Sequence, residues 1–139
     1  MNLKQALNNI YNHMMWNDLF SGEVYEWIKV NYSDSIYRGE MYRCLHSDKI
    51  VKNDMLCSFS KDIESAINVV DGMRGRCRKE KQIILRQVYE GIDLIKLLRS
   101  IKKNNTVDEE MKCDIVELIN NFTKEKEVVS RLHEYEIIK

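Results

Sequence analysis

Apolar side chains recur at three- and four-residue intervals at the start of the chain, at Leu3, Leu7, Ile10, Tyr11 and Met14. That spacing predicts an amphipathic helix. Asp18 or Ser21 can cap a second helix with Val24, Trp27 and Ile28 on its buried side, so residues 1–30 read as a helical N-terminal segment. The pattern then becomes strand-like. Ile36, Tyr37, Met41 and Tyr42 lie in SDSIYRGEMYRCL, with Gly39 inside, where glycine often marks a bulge or a close backbone approach. Met55 to Phe59 predicts a second strand. Ser60 is placed to cap the helix that follows, with Asp62 and Glu64 in its first turn and Ile63, Ala66, Ile67 and Val70 as its apolar stripe.

The stretch DGMRGRCRKEKQ combines two glycines with a cluster of arginines and lysines and reads as a basic loop. IILRQVY predicts a strand that ends at Gly91. LIKLLRSI fits a short helix, or alternatively a strand. Thr106-Val107-Asp108-Glu109 has the form of a capping box, followed by Met111, Ile115, Leu118 and Ile119 at helical spacing. EKEVVS and HEYEIIK predict two short strands joined as a hairpin. The fold class is α+β, with helices early and late and strands between and at the end.

At 139 residues the chain is sized for one domain. Such a chain buries roughly two thirds of its unfolded surface, so it needs neither a disulfide nor a metal staple. Lys plus Arg and Asp plus Glu balance at 22 each. That balance argues against a dedicated nucleic-acid binder, whose affinity rests on neutralising phosphates. Cys44, Cys57, Cys77 and Cys113 lack metal-site spacing, and the lone Cys44-x-His46 is a weak signal, so no metal is expected. No signal pattern or long apolar run is visible. The expectation is therefore reduced thiols, a cytoplasmic location (the host cytoplasm for a phage-encoded protein) and no membrane association.

Three short motifs stand out by order and position. Tyr37-Arg38-Gly39 falls on the first strand, Ser58-Phe59-Ser60 where the second strand meets a helix, and Glu125-Lys126-Glu127 at the start of a late strand. Residues two apart in a strand face the same way, so Ser58 pairs with Ser60, and Glu125 with Glu127. Together, YRG, CSFSKDIESA and FTKEKEVV resemble the mono-ADP-ribosyltransferases of the arginine–serine–glutamate class, which includes many bacterial toxins and phage host-modifying enzymes. The likeness runs from about Ile36 to the C-terminus. It departs from the family pattern at Phe59, where a threonine is usual, in overall length, and in the helical character of Leu94 to Asn121.

The resemblance implies a single ADP-ribosyltransferase-like domain over residues 1–139, with N-terminal helices and a small split, mainly antiparallel β core. It implies NAD as substrate, cleavage of the nicotinamide–ribose bond, and transfer of ADP-ribose to a protein acceptor, with an arginine side chain indicated by glutamate at 125. Arg38 would offer its planar guanidinium to the diphosphate. Gly39 would let the backbone approach the nicotinamide amide, and Ser58 and Ser60 would support the site. Glu127 would bind the ribose hydroxyl and stabilise the oxocarbenium ion. Glu125 would orient the acceptor and take its proton. Phe122 matches the family's target-recognition turn. Arg74 or Arg76, in a basic loop hinged on Gly72 and Gly75, would contact the diphosphate. Glu134-Tyr135-Glu136 is a second, competing acidic pair. The alternative functions are a non-catalytic inhibitor that grips a partner protein, and a hydrolase that splits NAD without an acceptor.

Overall fold

The computed structural model describes residues 1–46, 51–74 and 82–138. Of the residues singled out above, Gly75, Arg76 and Cys77 lie outside them, and at Arg74 and Gly72 only the backbone is described. The described residues form five α-helices and one five-stranded antiparallel sheet. In chain order these are α1 (Leu3–Trp16), α2 (Gly22–Asn31), β1 (Ile36–His46), β2 (Leu56–Ser60), α3 (Ile63–Arg74), β3 (Gln82–Asp93), α4 (Leu94–Lys102), α5 (Glu109–Phe122), β4 (Glu127–Arg131) and β5 (Tyr135–Ile137).

Short polar side chains fix where the helices begin, by accepting hydrogen bonds from backbone N–H groups that the first turn leaves unpaired. Asn2 and Gln5 form a reciprocal capping box on α1. Ser21 caps α2, Asp93 caps α4 and Asp108 caps α5. Two of the expected caps move by two residues. Asp62, not Ser60, receives the N–H of Ser65 at the head of α3, at 2.7 Å. Thr106 gives way to Asp108 at α5. In both cases the aspartate is nearer the first apolar turn, while Ser60 stays within β2.

β1 and β3 pair along their full lengths, from Ile36 opposite Ile92 to His46 opposite Gln82. β2 joins β1 at Tyr42 opposite Ser60, and pairs with β4 from Leu56 opposite Arg131 to Ser60 opposite Glu127. β4 also meets β3 at Ile92 and Asp93. The four strands thus close into a ring, where the sequence suggests a split core. β4 and β5 do not form the expected hairpin. Both lie along the same edge of β3, end to end, with β5 beside Leu85, Arg86 and Gln87. The buried Gln87 side chain spans the break between them. Its Nε2 donates to Ser130 Oγ and to the Arg131 carbonyl, each at 3.1 Å, and its Oε1 accepts from the His133 N–H at 3.0 Å. These bonds replace the ladder contacts that a continuous strand would have made.

Alternation along the strands separates two cores. Met41, Leu45, Cys57, Phe59, Leu85, Val128 and Leu132 fill the inside of the ring. Ile92 and Val129 face outward and join the apolar sides of α1, α2, α4 and α5. α3 closes a third cluster, with Ala66 against Cys44 and Ile84.

β3 runs through Gly91 to Asp93 instead of ending there. A Cβ at Gly91 would stand 2.6 Å from Val128 Cγ1 and 2.7 Å from the Val129 carbonyl oxygen. Only a residue without a side chain lets β4 lie this close. Gly91→Ala should destabilise the protein by about 3 kcal/mol, at the upper end of the usual cost of overpacking, because one clash is with backbone. Urea unfolding measures this, and a loss below about 1 kcal/mol would show that β4 shifts freely.

Candidate functional site

The outward faces of β2 and β4 converge beneath α1. Cys57, Phe59 and Val128 point into the ring, and Leu56 and Val129 point outward into the helical core. By alternation, Ser58, Ser60 and Glu127 share the outward face. Ser60 sits directly opposite Glu127, and both are buried. A buried carboxylate is costly unless it finds a counter-charge and hydrogen bonds. α1 supplies both through His13.

His13 Nε2 lies 2.7 Å from Glu127 Oε2 and 3.2 Å from Ser58 Oγ. His13 Nδ1 lies 2.9 Å from the carbonyl oxygen of Asp18. The ring meets Phe20 edge to face at 5.3 Å. These contacts favour a protonated ring. A carbonyl oxygen only accepts, so Nδ1 carries a hydrogen. A neutral ring would then aim the Nε2 lone pair at a carboxylate, so the ion pair is the satisfied state. Burial pulls the imidazole towards neutrality, but the hydrogen bond and charge of Glu127, with help from the Asp18 carbonyl, outweigh it despite a small opposing push from Arg43. The group ends above its ordinary value. A serine nucleophile relay is not the arrangement here. In such a relay the serine and the acid contact different ring nitrogens, whereas Ser58 and Glu127 both face Nε2.

Glu125 is not on the strand. It ends a 3-10 turn over Thr123–Glu125, and Lys126 then adopts a left-handed conformation at φ 49° before β4 begins at Glu127. The two carboxylates therefore do not share a face through strand alternation. They are still electrostatically close. Burial first, and the charge of Glu127 second, push the Glu125 carboxyl up to about 7, with His13 offsetting part of this. Lys126 points away and pairs with Asp62 at 2.7 Å.

Arg38 is 71% exposed and pairs with Glu90 at 3.5 Å. It lies on the same face of β1 as Tyr42, which is in the row of Ser60 and Glu127. The four steps from 38 to 42 span about 13 Å of strand. Gly39 has φ 154°, and a Cβ there would press on the Tyr37 hydroxyl at 3.1 Å, so its backbone already requires glycine. Phe122 ends α5 and packs against the helical core. Glu134 and Glu136 are both exposed, and Glu136 pairs with Arg86 at 2.8 Å.

Two residues join the site without having been singled out from sequence. His13 sits on a helix face where a lone histidine carries no pattern. Arg43 belongs to a second Tyr-Arg pair in β1. Its Nη1 donates to the Ser58 carbonyl at 2.8 Å, bracing the thin seam between β1 and β2. Its Nε is buried without a partner among the described residues.

The titrations give a pH signature. The folded state holds the Glu125 proton to about 7, against an ordinary 4.5, so this group costs stability as pH rises through that interval. His13 contributes its full stabilisation below its ordinary 6.5 and loses it as pH rises through its higher folded value. Both act in the same direction. Asp62, held at about 2 by Lys126 and the Ser65 N–H, titrates well below this window. Stability measured by urea unfolding should fall by about 1–2 kcal/mol between pH 5 and pH 8, after discounting for the partial exposure of Glu125. Glu125→Gln should raise stability at pH 8 and remove much of the slope. A slope unchanged by that substitution would contradict the account.

Among the described residues, no helix is long and apolar enough to cross a membrane. No family model, curated protein or solved structure gives a significant match to this chain.

Proposed function

We propose that the protein is a mono-ADP-ribosyltransferase that uses NAD to modify an arginine side chain of a protein acceptor. One observation carries this reading. Ser58 and Glu127, on neighbouring strands, meet on one buried outward face with Glu125 beside them. The ring of strands places on neighbouring strands two motifs separated by about half the chain, and this supports the reading.

In the proposed reaction, the bond between the ribose C1′ and the nicotinamide nitrogen breaks. Its electron pair leaves with nicotinamide and neutralises the pyridinium. Glu127 binds the ribose hydroxyl and stabilises the positive charge that develops on the sugar. A guanidinium nitrogen of the acceptor bonds to C1′ and gives up a proton to Glu125. A carboxylate that titrates near 7 is well matched to that task at neutral pH. Arg38 binds the diphosphate. It lies about 13 Å along β1 from the Tyr42–Ser60–Glu127 row, a gap that its long side chain and the substrate together would span. Exposure leaves its guanidinium open to an anion once Glu90 is displaced.

A second reading, a non-catalytic protein that binds a partner, is favoured by Trp16 and Leu19. They are 68% and 90% exposed at the corner between α1 and α2.

Labelled NAD and cell lysate distinguish the two. The wild type should label a discrete protein band and release nicotinamide. Glu127→Gln should lose about 10²–10³-fold in rate, the usual loss when a group that stabilises transition-state charge is removed. Arg38→Ala should weaken NAD binding by about 10–100-fold, the range for a charge-assisted hydrogen bond. Glu125→Gln should keep nicotinamide release and lose transfer to arginine. A wild type that neither labels a protein nor releases nicotinamide sinks the transferase reading in favour of partner binding.

A further inference from the structure

We propose that His13 is a positioning residue for Glu127: anchored through Nδ1–H on the Asp18 carbonyl, it holds Oε2 of the carboxylate through Nε2–H and leaves the other oxygen for the ribose. The inference rests on the transferase reading and adds to it a component from the helical segment, outside the stretch that carries the family resemblance. A glutamate carboxylate can swing about three side-chain torsions. The imidazole removes that freedom. One oxygen receives the strong, charge-assisted bond, at 2.7 Å. The ring itself cannot rotate, because its far nitrogen is bonded to Asp18 at 2.9 Å and its edge is packed on Phe20. Ser58 Oγ, at 3.2 Å from the same Nε2, is drawn to the same point. Helix α1 is in turn fixed against α5 and the main core through Leu7, Ile10 and Met14.

This arrangement works only with a proton on Nε2. Loss of that proton sets a lone pair against Oε2 and releases the carboxylate, so the positioning fails on the alkaline side. The groups that face the imidazole are Glu127 from β4, Glu125 from the preceding turn, Ser58 from β2, Arg43 from β1 and the Asp18 carbonyl from the α1–α2 corner. Glu127 is the dominant partner, and Arg43 opposes it weakly.

Nicotinamide release to water, which requires Glu127 but not the acceptor base, is the appropriate readout. His13→Ala should lower kcat by about 10–100-fold with KM for NAD nearly unchanged, as expected when a group that orients a catalytic residue is lost. His13→Gln keeps an N–H donor that does not titrate. It should restore most of the rate and flatten the profile between about pH 6 and pH 9, where the wild type declines on the alkaline side. Proton NMR of the His13 ring gives a readout independent of turnover. Its titration should move to lower pH in Glu127→Gln. If the wild type cleaves NAD while His13→Ala retains its kcat and pH profile, this inference fails and the transferase reading stands. If the wild type releases no nicotinamide at any pH, both fall together. A His13 titration unmoved by Glu127→Gln refutes the pairing itself.

Discussion

The close passage of β4 over Gly91 is the constraint on which the remaining architecture depends. β3 is long and pairs fully with β1 on one edge. Its other edge takes both β4 and β5, and β4 reaches it where the missing side chain of Gly91 leaves room. Once β4 is seated there, its alternation is fixed. Val128 enters the ring, and Val129 and Glu127 turn outward. Register allows no compromise, because a slip of one residue would exchange the two sets. The ring therefore forces an acidic side chain outward at a place where the helices cover the sheet.

That forced position explains why the N-terminal helix carries a histidine where it does. A carboxylate left alone under α1 would cost several kcal/mol. The ion pair with His13 makes its burial tolerable, and the Asp18 carbonyl satisfies the second ring nitrogen. Among the described residues, no comparable cation pairs with Glu125. Its burial and the neighbouring charge drive it towards neutrality instead. Two carboxylates, two residues apart in sequence, thus stand beside different neighbours: Glu127 pairs with His13, whereas Glu125 meets burial and the charge of Glu127. Different chemical roles for a pair of acids arise in this way.

Much of this architecture is legible from periodicity. The helices at 3–16 and 109–122 follow the spacing of Leu3, Leu7 and Ile10 and of Met111, Ile115 and Leu118, because one-sided burial leaves that signature. The strand around Tyr37 and the strand ending in Ser58-Phe59-Ser60 also stand where branched, aromatic and glycine residues put them. Three features were not legible, for physical reasons. The run VVSRLHEYEII has strand character throughout, and nothing local shows that its two halves share one edge of β3. That depends on Gln87, a residue distant in sequence, filling the break. The Glu-Lys-Glu alternation resembles a strand, but a left-handed residue cannot be read from a lysine code. The His13–Glu127 pair joins positions 114 residues apart, and no periodicity reports a contact of that kind.

Backbone strain gives an independent view of the same region. Among the described residues, Asn17, Asp54 and Lys126 adopt positive φ without being glycine. Asparagine and aspartate tolerate that conformation; lysine does so at a cost. Asn17 ends α1 and turns the chain so that the Asp18 carbonyl faces back to His13. Lys126 separates the two glutamates and reverses direction between the turn and β4. Its conformation is held from outside, by the Asp62 ion pair and by the Lys61 N–H donating to its carbonyl at 3.2 Å. Strain of this sort persists only where the surroundings over-determine it, and such places concentrate at functional sites. Two of the three positions flank the His13–Glu127 pair, one on each side. A glycine at 126 would relieve the strain and free the turn, and with it the separation between the carboxylates.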